Sequence, residues 1–172
     1  EMAHIIEKNN YLITSQIDEM IELALNESAG DVTKDEHVGV NDILQQLAKE
    51  KGKFVNDDVT INVSSNIYDG FFITTNRDML KRAIVPLIDN AMKYTAKGTI
   101  TLGASVTDDE LKLTVEDTGC GIPEAEAEHI FEEFVQLDDY YDGTGIGLTL
   151  ARSIARRLGG DIVLDTTYSP GA

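Results

Sequence analysis

The hydrophobic period of this chain switches repeatedly between about 3.6 and two, and the order of those switches limits the fold more than any other feature. Asp42 to about Lys51 carries Ile43, Leu44 and Leu47 on one helical face, with Asn41 placed as an N-cap. Val59-Thr60-Ile61-Asn62-Val63 alternates as a half-buried strand does. Phe71 to Thr75 reads as a second short strand, and Asn76 as the cap of a helix from Met79 to about Tyr94. Thr99 to Val106 and Leu111 to Glu116 read as a hairpin turning at Thr107-Asp108-Asp109-Glu110. Glu124 to Phe134 is polar and partly helical. Gly147 to Leu158 reads as a helix closed by Gly159-Gly160, and Ile162-Val163-Leu164 as a last strand. Helix, strands, helix, hairpin, helix, strand is an α+β order. It predicts a two-layer α/β sandwich with helices on one face of a mixed sheet.

A longer amphipathic helix precedes this unit. Met2, Ile6, Ile13, Ile17, Met20 and Ala24 form a stripe that Ile5, Leu12, Ile21 and Leu25 widen. So wide a stripe calls for partners on more than one side, either its own domain or a helical bundle shared between two chains. Ser28 to Gly39 is polar and reads as a linker. The division is a helical segment 1–28, a linker 29–40 and an α+β domain 41–172. Beginning at Glu1 inside an apparent helix, the chain reads as a fragment, and a membrane anchor upstream is compatible with it.

Charge narrows the function. The formal net charge is −17, which repels nucleic-acid phosphates and anionic lipid, so no nucleic-acid or membrane-surface role is expected. A polyphosphate ligand would need local positive charge or a divalent cation. Cys120 is the sole cysteine, so no intrachain disulfide forms. No apolar run approaches the roughly 20 residues that cross a bilayer.

Three segments carry chemistry. Asp89-Asn90-Ala91-Met92-Lys93-Tyr94 ends a helix and puts Asn90 and Lys93 on one face. A carboxamide oxygen can ligate Mg²⁺, and an ammonium can neutralise phosphate. Asp117-Thr118-Gly119-Cys120-Gly121-Ile122-Pro123 follows a strand. Its carboxylate can accept from an exocyclic amine such as that of adenine, and its glycines allow close approach of a flat ligand. Asp142-Gly143-Thr144-Gly145-Ile146-Gly147-Leu148 runs into a helix N-terminus, where free N–H groups and the positive dipole end attract anions. It lacks the Gly-Lys-Ser/Thr ending of a phosphate loop. Each segment alone also reads as ordinary turn or surface chemistry; the three in this order do not.

Together they resemble the ATP-binding catalytic domain of sensor histidine kinases of two-component systems, in the superfamily that also holds gyrase, a heat-shock chaperone and mismatch-repair ATPases. Asp89 to Tyr94 is similar to the N box, Asp117 to Pro123 to the G1 box, Phe131-Glu132-Glu133-Phe134 to the F box, and Gly143 to Leu148 to the G2 box. Residues 1–28 resemble part of the second helix of the dimerisation and phosphotransfer bundle. The resemblance implies a Bergerat-type fold with ATP and Mg²⁺ as cofactors. Asn90 would hold Mg²⁺, Lys93 would contact phosphate, and Tyr94 would flank the nucleotide. Asp117 would bind the adenine amine, with Gly119, Gly121 and Ile122 shaping its pocket. Gly143, Thr144, Gly145, Ile146, Gly147 and Leu148 would border the phosphates, and the glycines would hinge a lid from Pro123 to Asp142. Phe131 and Phe134 would anchor that lid.

The implied reaction moves the γ-phosphoryl of ATP to a histidine, then to an aspartate of a response-regulator receiver domain. The implied setting is cytoplasmic, in a homodimer formed through the N-terminal bundle. Several features depart from the pattern. Pro86 stands where the family carries a first asparagine and where hydrolytic relatives carry a general-base glutamate, which argues against a water-activating ATPase. Residues 124–142 hold no Lys or Arg, so Gln136 and Thr144 are candidates for a hydrogen-bonding lid. His4, His37 and His129 do not fit the phosphoacceptor, and a closing strand after Ser169 is expected to be missing. A degenerate nucleotide-binding regulatory module is the alternative reading.

Overall fold

The structure is a computed structural model that describes residues 2–28, 30–135, 144–168 and 171–172, with the side chains of 2–12 and 27 outside the description. Its elements are α1 (Met2–Ser28), β1 (Glu36–Gly39), α2 (Val40–Lys51), β2 (Val59–Ser65), β3 (Phe72–Thr75), α3 (Arg77–Tyr94), β4 (Gly98–Thr107), β5 (Glu110–Asp117) and α4 (Gly147–Leu158). Two short 3-10 turns, Glu124–Glu126 and His129–Phe131, lie between β5 and α4.

The main sheet runs in the order β2-β4-β5 and is mixed, with β2 parallel to β4 and β4 antiparallel to β5. A parallel pair needs a long crossover, and β3 with α3 supplies it. The hairpin turns at Asp108 (φ 51°) and Asp109 (φ 66°), both left-handed, as a two-residue turn between twisted strands requires. Ile43, Leu44 and Leu47 of α2 join Ile84 and Ile88 of α3 and Ile100 and Leu102 of β4 in the main core. Burying each such side chain contributes about 1.5–3 kcal/mol. A second cluster joins Leu23 of α1, Ala83 of α3, and Ile146, Leu150 and Ile154 at α4. The α+β architecture is the one the periodicity predicts.

Three expectations are corrected. The polar linker is shorter than read, because Glu36–Gly39 forms β1 against β3, with Val38 opposite Ile73 and fully buried. Asn41 is not a cap; β1 hands straight into α2 at Gly39, and the Asn41 carboxamide instead donates to Asp69 Oδ1 at 3.3 Å. Ile162 to Leu164 has no ladder partner among the described residues. Arg152 and Arg156 of α4 hold Asp161 at one end of that segment, and Lys112 of β5 approaches Asp165 only through side chains at the other. The backbone therefore runs beside β5 without hydrogen-bonding to it. For α1 the sequence left two alternatives, packing on its own domain or in a bundle shared between two chains. The predicted stripe residues Ile13, Ile17, Met20, Ile21 and Leu25 are exposed, whereas Leu23 is only 6% exposed and meets α4.

Asn76 caps α3 as read, its side chain accepting from the Met79 N–H at 3.0 Å. It also donates to the Thr33 carbonyl at 3.2 Å. Asn76→Ala is expected to cost about 0.5–2 kcal/mol, seen as a lower urea midpoint at unchanged slope. An unchanged midpoint would show that the cap is dispensable.

Candidate nucleotide site

Helix α3 is the element on which the site is assembled. Its last turns present Asn90, Lys93 and Tyr94, with the Lys93 ammonium 4.7 Å from the centre of the Tyr94 ring. The strand end at Asp117 meets this helix end. The ideal Cβ of Gly119 would fall 2.4 Å from the Tyr94 carbonyl oxygen, so only glycine lets the turn lie against α3. Asp117 is 7% exposed, and its Oδ1 accepts the Gly119 N–H at 2.7 Å. Beside it Thr95 is 1% exposed, and its hydroxyl faces the Asp117 carboxylate without completing a hydrogen bond. A buried orphan hydroxyl next to a carboxylate that the Gly119 and Ala172 backbone satisfies only in part is a socket for a polar ligand edge. The chemistry fits the amine-bearing edge of a purine.

Burial raises the Asp117 carboxyl above its ordinary value, opposed by backbone hydrogen bonds from Gly119 and Ala172 and by Thr95. Folding therefore favours the protonated form. That contribution is fully present below the unfolded value near 3.8 and is lost as pH rises through the higher folded value. Nucleotide-free Asp117→Asn should consequently gain stability relative to wild type as pH rises through this window. Parallel urea midpoints across the range would remove burial as the dominant cause.

The glycine-rich helix start meets α3 further back. An ideal Cβ on Gly147 would lie 3.7 Å from Pro86 Cβ. Pro86 and Tyr94 are eight residues apart, about 12 Å along a helix axis, and Asn90 lies midway on the same face. Ile146 stands at the N-cap of α4 with no side-chain acceptor, and among the described residues no other group caps the first N–H groups of α4. Gly145 has φ +71°, and an ideal Cβ there would sit 2.8 Å from both Cα and C of Phe134. The Phe134 N–H donates to the Gly145 carbonyl at 2.9 Å, which clasps the loop before α4 to the end of the 3-10 region.

One continuous cleft of about 2350 Å³ brings most of the predicted residues together, Gly119 lying behind it against the Tyr94 carbonyl. Asn90, Lys93, Tyr94, Asp117, Gly121 and Ile122 line it, as do Thr144, Gly145, Gly147 and Leu148. It exceeds an ordinary ligand site of about 300–1,000 Å³, because it continues along β5 to Ile162 and Val163 and across to Glu19 and Glu22 of α1. Ile146 is turned into the second core, fully buried, and its N–H donates to Thr144 Oγ1 at 3.3 Å; it shapes the loop and presents no side chain to the cleft. Gly143 and Gln136 lie outside the described residues, as does the part of the predicted lid from 136 to 142. Phe131 is buried beneath the Arg152 guanidinium, 4.5 Å above its ring. Phe134, by contrast, is 55% exposed with φ +64°, so its backbone rather than its ring makes the anchor. His37 meets the Phe72 ring edge-on, and His129 Nδ1 lies 2.9 Å from Glu132, a hydrogen bond that raises its pKa. The His4 side chain is outside the description.

Among the described residues no group of three or more His, Cys, Asp or Glu is placed to hold a metal. The donor set at Asn90 suits a Mg²⁺ that keeps most of its ligands from phosphate and water. Sequence reasoning missed Thr95, the residue directly after the N-box stretch. It also missed Glu19 and Glu22, which no local pattern links to partners 125 and 60 positions away.

Residues 75–172 match the family described as histidine kinase-, DNA gyrase B- and HSP90-like ATPases, and the chain belongs to that family. Within it, the chain has the form of the ATP-binding catalytic domain of a sensor histidine kinase. It is 34% identical over 134 residues to an uncharacterised sensor-like histidine kinase of Rhizobium meliloti, a match covering 75% of this chain and 24% of the relative. It is 43% identical over 99 residues to the adaptive-response sensory kinase SasA of Synechococcus sp. (strain JA-3-3Ab), covering 55% of this chain and 26% of the relative. Full-length ShkA, solved in complex with AMPPNP, superposes with a TM-score of 0.71 at 25% identity, covering 88% of this chain and 32% of that one. The chain thus spans about a quarter of the length of these two curated relatives.

Proposed function

We propose that this chain binds Mg-ATP and transfers its γ-phosphoryl to a histidine imidazole for relay to the aspartate of a response-regulator receiver. The observation that carries the reading is the pairing of two sockets on one face of α3. The Asp117–Thr95 pocket lies at its end, the open N-terminus of α4 lies near Pro86, and Asn90 stands between them.

Asp117 accepts from the adenine amine, while Gly119, Gly121 and Ile122 bound the ring and Tyr94 flanks it. Lys93 and the α4 N–H groups at Gly147 and Leu148 neutralise phosphate, with Gly143, Thr144 and Gly145 setting the loop. Asn90 would supply one ligand to Mg²⁺, which when bound screens the phosphate charge. Transfer forms a bond from an imidazole nitrogen to the γ-phosphorus, breaks the bond to the β–γ bridging oxygen and releases ADP and the imidazole proton. The chain's contribution is positioning and charge neutralisation.

In the whole protein, residues 1–28 act as the second bundle helix. The exposed Ile13, Ile17, Met20, Ile21 and Leu25 are its homodimer face. The setting is cytoplasmic; no helix of the described residues is long and apolar enough to cross a membrane.

Incubation with radiolabelled Mg-ATP and a separately supplied histidine-bearing bundle from a relative tests the reading. Acid-labile label on the bundle is the expected result. No transfer by a chain that binds nucleotide would end the kinase assignment. Binding should also weaken when EDTA removes Mg²⁺; equal affinity with and without chelator would strip Asn90 of its metal role.

A further inference from the structure

Thr95 closes α3 with its backbone fixed in an extended conformation (φ −106°, ψ 97°), its N–H donating to the Ala91 carbonyl at 3.0 Å. Its Cγ2 methyl lies towards Gly98, 4.0 Å from where a Cβ on that glycine would sit. The hydroxyl is left on the side of Asp117, where it opposes the rise in carboxyl pKa that burial causes. Yet this hydroxyl, shut off from solvent, completes no hydrogen bond within the chain. A buried donor left unmade is destabilising, so its retention calls for a use.

Tyr94 and Asp117 line the cleft, whereas Thr95 lies behind them and does not. A nucleotide therefore senses the hydroxyl only through the carboxylate. A carboxylate has about four acceptor sites. The Gly119 N–H fills one at 2.7 Å, and the Ala172 backbone bonds another. An exocyclic amine and the Thr95 hydroxyl are the two donors that complete it. Burial favours the protonated carboxyl, which offers a proton where the amine needs a lone pair. A hydroxyl that donates to the charged form holds it ionised and fixes its orientation.

We propose that Thr95 is a positioning residue of the purine pocket. Its hydroxyl, unbonded within the chain, donates to the Asp117 carboxylate when an amine-bearing purine binds, and so favours that purine over one without the amine. The inference rests on the nucleotide reading above and adds a determinant of base selectivity to that site.

Calorimetric titration of the full chain with Mg-ATP, and with the Mg-triphosphate of purine riboside, tests it. The second ligand is ATP without its amine. Thr95→Val keeps the shape and removes the hydroxyl; Thr95→Ser keeps the hydroxyl. Thr95→Val should bind Mg-ATP about five-fold or more weakly than wild type, as loss of a hydrogen bond to a charged group requires. Its affinity for the amine-free triphosphate should be unchanged, because the coupling runs through the amine. Thr95→Ser should restore Mg-ATP affinity. Without nucleotide, the urea midpoint of Thr95→Val should be no lower than that of wild type, since an unbonded buried hydroxyl has been removed. A lower midpoint with both triphosphates weakened alike would mark the hydroxyl as a brace of the fold and overturn the proposal. So would wild-type Mg-ATP affinity in a Thr95→Val protein of unchanged circular dichroism, or a loss in Thr95→Ser equal to that in Thr95→Val. If Thr95→Val does not fold, Thr95→Ala set against Thr95→Ser isolates the same hydroxyl. Wild type that binds both triphosphates equally, or neither, would instead overturn the nucleotide reading at Asp117, and the role of Thr95 with it.

Discussion

Asp117→Asn is expected to raise the dissociation constant for ATP by about 5- to 150-fold, the equivalent of about 1–3 kcal/mol. Oδ1 of the native carboxylate accepts the Gly119 N–H, and the backbone of Ala172 also bonds the carboxylate, so a purine amine would meet an acceptor that keeps part of its capacity. An asparagine that keeps the Gly119 bond must turn its NH₂ towards that amine, placing donor against donor in a site that is only 7% exposed. Isothermal titration reads the loss directly. The same variant should fold at least as stably as wild type near neutral pH, because the burial that raises the carboxyl pKa penalises the charged form. Weakened binding with undiminished stability is therefore the specific signature. Unchanged affinity would remove Asp117 from the adenine pocket.

Gly145→Ala should disrupt the other end of the site more severely. The backbone there has φ +71°, which costs a non-glycine residue about 1–2 kcal/mol. The new Cβ would also lie 2.8 Å from two backbone atoms of Phe134, and that backbone cannot retreat without breaking the bond from the Phe134 N–H to the Gly145 carbonyl. Relieving such an overlap costs about 1–3 kcal/mol more. The combined loss of about 2–5 kcal/mol should appear as a lower urea midpoint together with weakened ATP binding, while adenosine binding falls less. A variant with wild-type stability and ATP affinity would show that the clasp between the two segments does not set the phosphate site.

The sequence made the site's parts legible because each part is local. A glycine that must accept a neighbouring backbone, an aspartate at a strand end and a carboxamide in the last turns of a helix leave their marks within a few residues. The main helices and the hairpin were legible for the same reason, since Ile43, Leu44 and Leu47 form one buried face and Asp108-Asp109 turns the hairpin. Features that depend on a distant partner were not. Strand β1 has only four residues, too few for alternation to show, and exists because β3 offers it a ladder. Ile162-Val163-Leu164 carries strand-like residues, but strand formation also needs a neighbouring backbone at bonding distance. The seating of α1 was left open because amphipathicity identifies an apolar face without saying which neighbour takes it. Here Leu23 and a row of polar contacts face the domain, and the broad stripe faces outward.

Because α3 touches one glycine segment at Pro86 and the other at Tyr94, it acts as a ruler between them. Inserting a single residue inside that stretch would turn everything beyond it by about 100° and lengthen the span by about 1.5 Å. Asn90 would then leave the line joining the two ends, even though every side chain named in the site remained present. Lineages derived from this sequence should therefore vary in length at the Asp108-Asp109 turn, and hold the count from Pro86 to Tyr94 fixed.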